Sequence, residues 1–190
     1  QIAEVLDSMK VDIIEAGFPI ASNGDFEAVS EVSKHVKNST IAGLARASFK
    51  DIDRAWEAVQ HAKSPRIHTF IATSPLHMKY KLKKTEEEVL EAIQKTVSHA
   101  RNLCDNIEWS CEDGGRSELE FLYQCIELAI NSGASTINIP DTVGYTLPEE
   151  FGKIFKNVKN NVPNIDKAIL STHTHNDLGL ATANNVAAIK

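Results

Sequence analysis

A regular alternation of short apolar runs and longer amphipathic runs constrains the fold of this chain most strongly. Six of the short runs have the composition of buried β-strands, and most lack the polar alternation that a solvent-facing side imposes. They are Val11–Glu15, Thr40–Leu44, Arg66–Ile71, Asn106–Ser110, Thr136–Ile139 and Ala168–His173. Their starts lie roughly 25 to 40 residues apart, the length of one strand–helix–strand unit.

Amphipathic helical patterns occupy the intervals and carry start and stop signals. Thr85-Glu86-Glu87-Glu88 predicts a capping box, and Ser117 before an acidic turn predicts another helix start. Pro148 suits a first helical turn, and Gly133 suits a left-handed cap at a helix end. The predicted helices are Gln1–Met9, Asp25–Val36, Phe49–Ala62, Thr85–Leu103, Ser117–Ser132, Pro148–Asn160 and Leu178–Lys190.

Successive strand–helix units without a break in composition favour the α/β class and a (β/α)₈ TIM barrel over a doubly wound sheet. A nucleotide-binding sheet of the second kind carries a Gly-X-Gly-X-X-Gly turn after its first strand, and the sequence has none. We therefore expect residues 1–190 to be a partial catalytic TIM-barrel domain, from about helix 1 to helix 7, with strands 1 and 8 outside the sequence. Because an open barrel exposes two unpaired edges, we expect this piece alone to fold poorly.

Composition narrows the classes of function. The 190 residues carry a formal net charge of −6 and 42% hydrophobic residues, an ordinary globular balance that argues against nucleic acid as a partner. No apolar run approaches the ~20 residues of a membrane span. Cys104, Cys111 and Cys125 form no Cys-X-X-Cys pair, which favours reduced thiols in a cytosol-like compartment and argues against a zinc–cysteine site. The basic run 79–84 predicts a solvated loop and helix entry, or a surface under an anionic cofactor tail.

Two histidines close the last predicted strand, in the run Ser171-Thr172-His173-Thr174-His175-Asn176-Asp177-Leu178-Gly179. Because side chains alternate along a strand, His173 and His175 are predicted to share one face. Two neutral imidazoles placed in this way can share a divalent cation, and the alternative is a hydrogen-bonded pair at a strand end. Two ligands do not make a catalytic site, so at least one carboxylate or amide must join them.

Other polar residues collect at the carboxyl ends of the predicted strands, where a TIM barrel forms its active site. The candidates are Glu15, His68, Ser110, Glu112 and Thr142. Each of three has a structural alternative: Glu15 can accept loop amides, His68 can be a satisfied core histidine, and Thr142 can cap a turn. Ser110 and Glu112 share a face by their spacing, and Glu112 at a barrel mouth suits a general acid or base.

Five motifs in order carry a resemblance to a known family. They are Ile14-Glu15-Ala16-Gly17-Phe18-Pro19, Arg66-Ile67-His68-Thr69-Phe70-Ile71-Ala72-Thr73-Ser74, Glu112-Asp113-Gly114-Gly115-Arg116-Ser117, Asn138-Ile139-Pro140-Asp141-Thr142-Val143-Gly144 and His173-Thr174-His175-Asn176-Asp177-Leu178-Gly179. On these motifs the chain resembles, over essentially its whole length, the 2-isopropylmalate synthase family. These alpha-isopropylmalate/homocitrate synthases are acyl-CoA-condensing TIM-barrel metalloenzymes.

The resemblance implies an acyltransferase that condenses acetyl-CoA with a 2-oxo acid and then hydrolyses the thioester. It implies that His173 and His175 bind zinc, manganese or magnesium, together with an aspartate on strand 1 and an asparagine on strand 8. The positions that match the family's oxo acid pocket are His68, Ser110, Glu112 and Thr142, and Glu15 is a further substrate-binding candidate. Glu112 is the candidate catalytic residue, assisting removal of a proton from the acetyl methyl group.

Within the family, 3-methyl-2-oxobutanoate is the favoured oxo acid, which implies 2-isopropylmalate as product and a role in leucine biosynthesis. The stretch from Glu112 to Arg116 also resembles methylthioalkylmalate synthases, so methylthioalkylmalate, citramalate and homocitrate synthases stay as alternatives, as does a carbon–carbon lyase on the same fold. A non-catalytic barrel ranks last, because it would lose the polar strand ends.

The expected partners are the oxo acid and acetyl-CoA, with no nucleic acid and no membrane. A homodimer is implied, located in the cytoplasm, or in the plastid if the source is a plant.

Overall fold

The structure is a computed structural model that describes all 190 residues. Its strands are β1 (Ile13–Gly17), β2 (Thr40–Arg46), β3 (Pro65–Ala72), β4 (Ile107–Glu112), β5 (Thr136–Asp141) and β6 (Ile169–Thr174). Its α-helices are α1 (Ile2–Ser8), α2 (Asn23–His35), α3 (Phe49–Val59), α4 (Pro75–His77), α5 (Glu86–Leu103), α6 (Leu119–Asn131), α7 (Pro148–Asn161) and α8 (Ala181–Ile189). A π-helical turn covers Met78–Leu82, and 3-10 turns cover Gly114–Arg116 and Ile165–Lys167. Every predicted strand and helix is present, so the predicted alternation is confirmed.

The strands form one sheet in the order of the chain, β1-β2-β3-β4-β5-β6. β1 pairs with β2 in parallel, as β5 does with β6. The amide of Ile67 donates to the carbonyl of Asn106 at 3.2 Å, and further along both strands the amide of Thr73 donates to the carbonyl of Glu112 at 3.1 Å. β3 and β4 therefore also run in parallel. A sheet in which each strand lies beside its predecessor is that of a TIM barrel, since a doubly wound sheet reverses its order. The fold is α/β, an incomplete TIM barrel.

By its internal contacts the chain divides into two compact units. The first comprises Gln1–Thr69 and Thr96–Glu108, and the second comprises Phe70–Lys95 and Trp109–Lys190. The first unit contains a core in which side chains of α2, β2 and α3 are buried, among them Val29, Ile41 and Val59. These apolar residues lie on the inner faces of the two helices and on the sheet, so their burial is the main force that holds the helices in place.

Asp7, near the end of α1, ties that helix to the segment before β2. Its carboxylate accepts hydrogen bonds from the backbone N–H groups of Lys37, Asn38 and Ser39 at 3.2, 2.9 and 2.8 Å. Burial opposes ionisation of this group, but the backbone donors and the Ser39 hydroxyl outweigh burial and lower the pKa of Asp7 to about 2.

The second unit buries one face of α6 and the whole of β5. Leu122 and Ile126 of α6 and Ile137 of β5 have no exposed surface. α7 approaches α8 closely at Gly152, where a Cβ atom would lie 2.9 Å from the carbonyl oxygen of Ala187. The smallest residue is therefore required at this helix contact.

Local signals explain most of the helix boundaries. The predicted capping box is confirmed, because the Thr85 amide donates to the Glu88 carboxylate at 2.9 Å and the Glu88 amide donates to the Thr85 hydroxyl at 3.3 Å. Pro148 is the first residue of α7, and Gly133 follows α6 with a φ of +114°. Both were expected from the sequence.

Some predictions are wrong in detail. α6 begins at Leu119 instead of Ser117, because the Ser117 hydroxyl donates to the carbonyl of Asp113 and does not cap the helix. The basic run 79–84 is not a plain loop, since a π-helical turn covers its first part and ends at Lys83 with a φ of +53°.

None of the helices combines the length and the apolar character that crossing a bilayer requires.

Candidate active site

The two histidines at the end of β6 face each other. His173 lies in the strand and His175 directly after it, and both side chains are exposed. Their Nε2 atoms are 3.1 Å apart and their ring centroids 5.1 Å apart. Two nitrogens that bind one ion at about 2.0–2.1 Å lie about 3 Å apart, so the pair fits a shared divalent cation, and the same distance suits a hydrogen bond between the rings. No group of three or more His, Cys, Asp or Glu residues that could hold an ion occurs in the chain, so these two need a further ligand.

A buried polar network supports the backbone at His175. Asp141 at the end of β5 is fully buried, and its carboxylate accepts hydrogen bonds from the Thr146 hydroxyl at 2.9 Å and the Asn184 amide at 3.2 Å. The carbonyl of Asp141 accepts a hydrogen bond from the backbone N–H of His175 at 3.2 Å. Sequence reasoning did not assign Asn184 a role, because it lies 43 positions from Asp141.

Glu112 closes β4 with a side chain that is 19% exposed. Its Oε1 atom accepts a hydrogen bond from Nζ of Lys81 at 2.5 Å, and Nδ1 of His77 lies 4.0 Å from the same oxygen. Sequence reasoning missed both neighbours, although Lys81 lies in the basic run that was noted for its charge. The carboxylate is thus mostly buried and lies next to a cation.

Ser110 and Thr142 make hydrogen bonds within the fold. The Ser110 hydroxyl accepts from the Asn138 side-chain amide at 2.8 Å, and Ser110 is buried. The Thr142 hydroxyl accepts from the backbone N–H of Asp113 at 2.9 Å, which is the turn-capping role foreseen as its alternative. Asp113 has a φ of +63°, so this bond helps to hold a left-handed backbone conformation after β4.

In the first unit, the predicted candidates Glu15 and His68 lie together. Nδ1 of His68 is hydrogen-bonded to the Glu15 carboxylate, and its Nε2 lies 3.8 Å from Glu108. Glu108 in turn accepts a hydrogen bond from Arg66 at 2.7 Å. Burial alone lowers the pKa of His68, but the hydrogen bond to Glu15 and the charges of Glu108 and Glu15 outweigh burial and raise it. His68 is therefore buried beside two carboxylates, an arrangement that also fits the alternative of a satisfied core histidine.

Some known proteins are similar to this chain in sequence, and others are similar to it in fold. The 2-isopropylmalate synthases of Rhodopseudomonas palustris and Ruminiclostridium cellulolyticum are each 60% identical to this chain over 190 residues. These matches cover 100% of this chain but only 36% and 37% of the relatives. The chain thus spans little more than a third of their length.

Solved structures are more distant. The hydroxymethylglutaryl-CoA lyase of Pseudomonas aeruginosa superposes with a TM-score of 0.74 at 20% identity, covering 97% of this chain and 62% of the lyase. The HMG-CoA lyase of Brucella melitensis superposes with a TM-score of 0.75 at 20% identity, covering 99% of this chain and 68% of the lyase. At such identities the likeness shows a common fold. The HMGL-like family profile matches residues 1–190, and the chain therefore belongs to the HMGL-like family.

Proposed function

We propose that residues 1–190 are part of the catalytic TIM-barrel domain of a 2-isopropylmalate synthase. This acyltransferase condenses acetyl-CoA with 3-methyl-2-oxobutanoate and water, and it releases 2-isopropylmalate and CoA in leucine biosynthesis. The observation that carries the proposal is the pair of imidazole nitrogens 3.1 Å apart at the end of β6. The 60% identity to named synthases over the whole chain supports the same reaction.

We assign the metal site to His173 and His175. The remaining ligands are proposed to come from outside residues 1–190. The ion, which we take to be zinc, manganese or magnesium, supplies a Lewis acid for the carbonyl of the oxo acid when it is bound. Asp141 and Gly144 hold the backbone of the second histidine in place, so that both ring nitrogens keep their common direction.

We propose substrate-binding roles for His68 and Glu15 of the first unit, and likewise for Ser110 and Thr142 of the second unit. His68 contacts the oxo acid, and Glu15 orients the imidazole ring through its hydrogen bond. The hydroxyl of Thr142 accepts one hydrogen bond here and can still donate another. Donation to the substrate would fix its orientation.

We assign Glu112 to the acid–base step. Its carboxylate takes one proton from the acetyl methyl group, and the electron pair left on that carbon forms the new bond to the carbonyl carbon of the oxo acid. The π pair of that carbonyl moves to its oxygen, which takes up a proton and becomes the hydroxyl of the product. Water then cleaves the thioester and CoA leaves as the thiol.

All three cysteines are free and buried, which supports a reducing compartment, and we propose a cytoplasmic location.

The test is a panel of 2-oxo acids with acetyl-CoA and the complete protein, following release of free CoA and identifying the product. We expect the highest kcat/KM with 3-methyl-2-oxobutanoate. One methylene more or less in the substrate should cost roughly 10- to 200-fold in kcat/KM. Preference for a smaller, larger or sulfur-containing oxo acid would indicate a related synthase. Absence of CoA release with every acid would refute the proposal.

A further inference from the structure

A short segment after β3 carries two nitrogen-bearing side chains to the Glu112 carboxylate. His77 ends α4 and Lys81 lies in the π-helical turn that follows. Nζ of Lys81 is 2.5 Å from Oε1 of Glu112, and Nδ1 of His77 is 4.0 Å from that same oxygen. Residues four positions apart lie on one face of a helix, so both side chains can reach a single target.

The two neighbours differ in what they can contribute. Nδ1 of His77 is buried and has no hydrogen-bond partner, and it lies 3.7 Å from Oδ2 of Asp113. Asp113 is already engaged, because it accepts hydrogen bonds from Ser74 at 2.5 Å and from Arg116 at 2.8 Å. Lys81 is therefore the group that forms a direct hydrogen bond to Glu112, and His77 flanks this ion pair.

Backbone geometry brings Lys81 to this position. The backbone N–H of Lys83 donates to the carbonyl of Met78, which closes the π-helical turn, and Lys83 adopts a φ of +53°. π-helical turns are rare and frequently occur at functional sites. The buried Met78 anchors the segment, whereas the Lys81 side chain is 49% exposed. Packing therefore does not explain the direction of the Lys81 side chain. The contact between Lys81 and Glu112 explains it.

We propose that Lys81 is a positioning residue that holds the Glu112 carboxylate in the direction required for proton removal from acetyl-CoA. This inference rests on the proposed function, in which Glu112 is the acid–base group. One oxygen of Glu112 is held by the ammonium group, and the other is left to accept the proton. A half-exposed ion pair contributes little to stability, so the effect of Lys81 should appear in turnover more than in folding.

The test is a double-mutant cycle on the complete protein. Lys81→Met should lower kcat by about 10- to 100-fold while KM for the oxo acid stays near its wild-type value, because a misplaced base slows only the reacting complex. Lys81→Arg, which keeps a donor and the charge, should recover most of the loss. In a Glu112→Gln background, Lys81→Met should cause little further loss, since the two residues act as one unit.

Two further measurements separate positioning from a general structural effect. With deuterated acetyl-CoA, the isotope effect on kcat should be larger in Lys81→Met than in wild type, because proton removal becomes more rate-limiting. Lys79→Met is the matched control: Nζ of Lys79 lies 5.2 Å from the ring of Tyr80, and Lys79 makes no contact with Glu112 among the hydrogen bonds and ion pairs of this segment. Its kcat should stay within about twofold of wild type.

The outcomes are distinct. If the free-energy costs of Lys81→Met and Glu112→Gln, calculated from kcat, are additive in the double mutant, the inference is wrong. That result would leave the proposed function intact. A higher KM for acetyl-CoA with unchanged kcat would place Lys81 on the phosphates of the co-substrate and would also overturn it. A wild-type protein that releases no CoA would overturn the proposed function and this inference together. Lys81→Gln repeats the test if the methionine variant does not fold.

Discussion

Gly144 lies so close to the backbone of Asp177 that a side chain added at Gly144 would force one of the two to move. A Cβ atom on Gly144 would lie 2.9 Å from the backbone nitrogen of Asp177 and 3.0 Å from the carbonyl carbon of His175. The loop after β5 therefore supports the backbone that carries the second histidine. Gly144 also has a φ of +63°, a left-handed conformation that disfavours side chains by roughly 1–2 kcal/mol.

Gly144→Ala should therefore displace the turn from His175 to Asp177 and reduce both metal retention and CoA release. Gly179→Ala is the control, because Gly179 has a similar φ of +74° but nothing lies within 4 Å of its added Cβ. The control should lose some stability from the backbone conformation alone and keep its metal. Metal content measured after gel filtration compares the two variants. Equal metal loss in both would show that the close approach at Gly144 is unimportant.

Asp7 should make stability depend on pH in the acid range. Its pKa is about 2 in the folded protein, below the ~3.9 of an unperturbed aspartate. A lowered folded-state pKa contributes stability that is complete above pH ~4 and is lost as the pH falls toward 2. We expect the urea midpoint of wild type to fall between pH 5 and pH 2.5 by more than that of Asp7→Asn, assayed alongside an exposed-site control, Glu27→Gln. Parallel pH profiles for wild type and Asp7→Asn would contradict this role.

The three cysteines should be unreactive in the folded protein. Burial raises the pKa of Cys111 to about 12 and also raises the pKa of Cys104 and Cys125. Because the thiolate is the reactive form, alkylation at pH 8 should be slow at all three positions and fast after unfolding in guanidinium. Peptide mapping by mass spectrometry after a short alkylation pulse measures each position separately. Fast labelling of Cys111 in the folded state would show that the core around β4 opens readily.

Local chemistry made much of this fold predictable from sequence. The capping box at Thr85, the proline at position 148 and the glycine at position 133 act within a few residues of themselves, so the sequence is sufficient to identify them. The strands were found because they are apolar on both faces. The predicted strand ends at Ser110 and Ile139 were too early, since the backbone ladder continues through the polar residues Glu112 and Asp141.

Contacts between distant positions were not predictable in the same way. Lys81 and Glu112 are 31 positions apart, and the π-helical turn that brings them together has no simple sequence signal. Asn184 supports Asp141 from 43 positions away. Ser117 has the sequence of a helix start, but its hydroxyl is hydrogen-bonded to the hydroxyl of Thr73, 44 positions away. In each case a tertiary contact, invisible in one sequence without coordinates, decides where the side chain points.

The central claim is that His173 and His175 bind the metal while Glu112 performs acid–base chemistry. The most direct test measures metal content by elemental analysis beside the rate of CoA release, for His173→Ala, His175→Ala and Glu112→Gln in the complete protein. Both histidine variants should be inactive. Their affinity for the metal should fall by more than the ~10–100-fold that is typical when a residue supporting a metal ligand is lost. Glu112→Gln should keep its metal and turn over roughly 10²- to 10⁴-fold more slowly. Histidine variants with full metal and activity, or a Glu112→Gln protein that loses metal as they do, would contradict this division of roles.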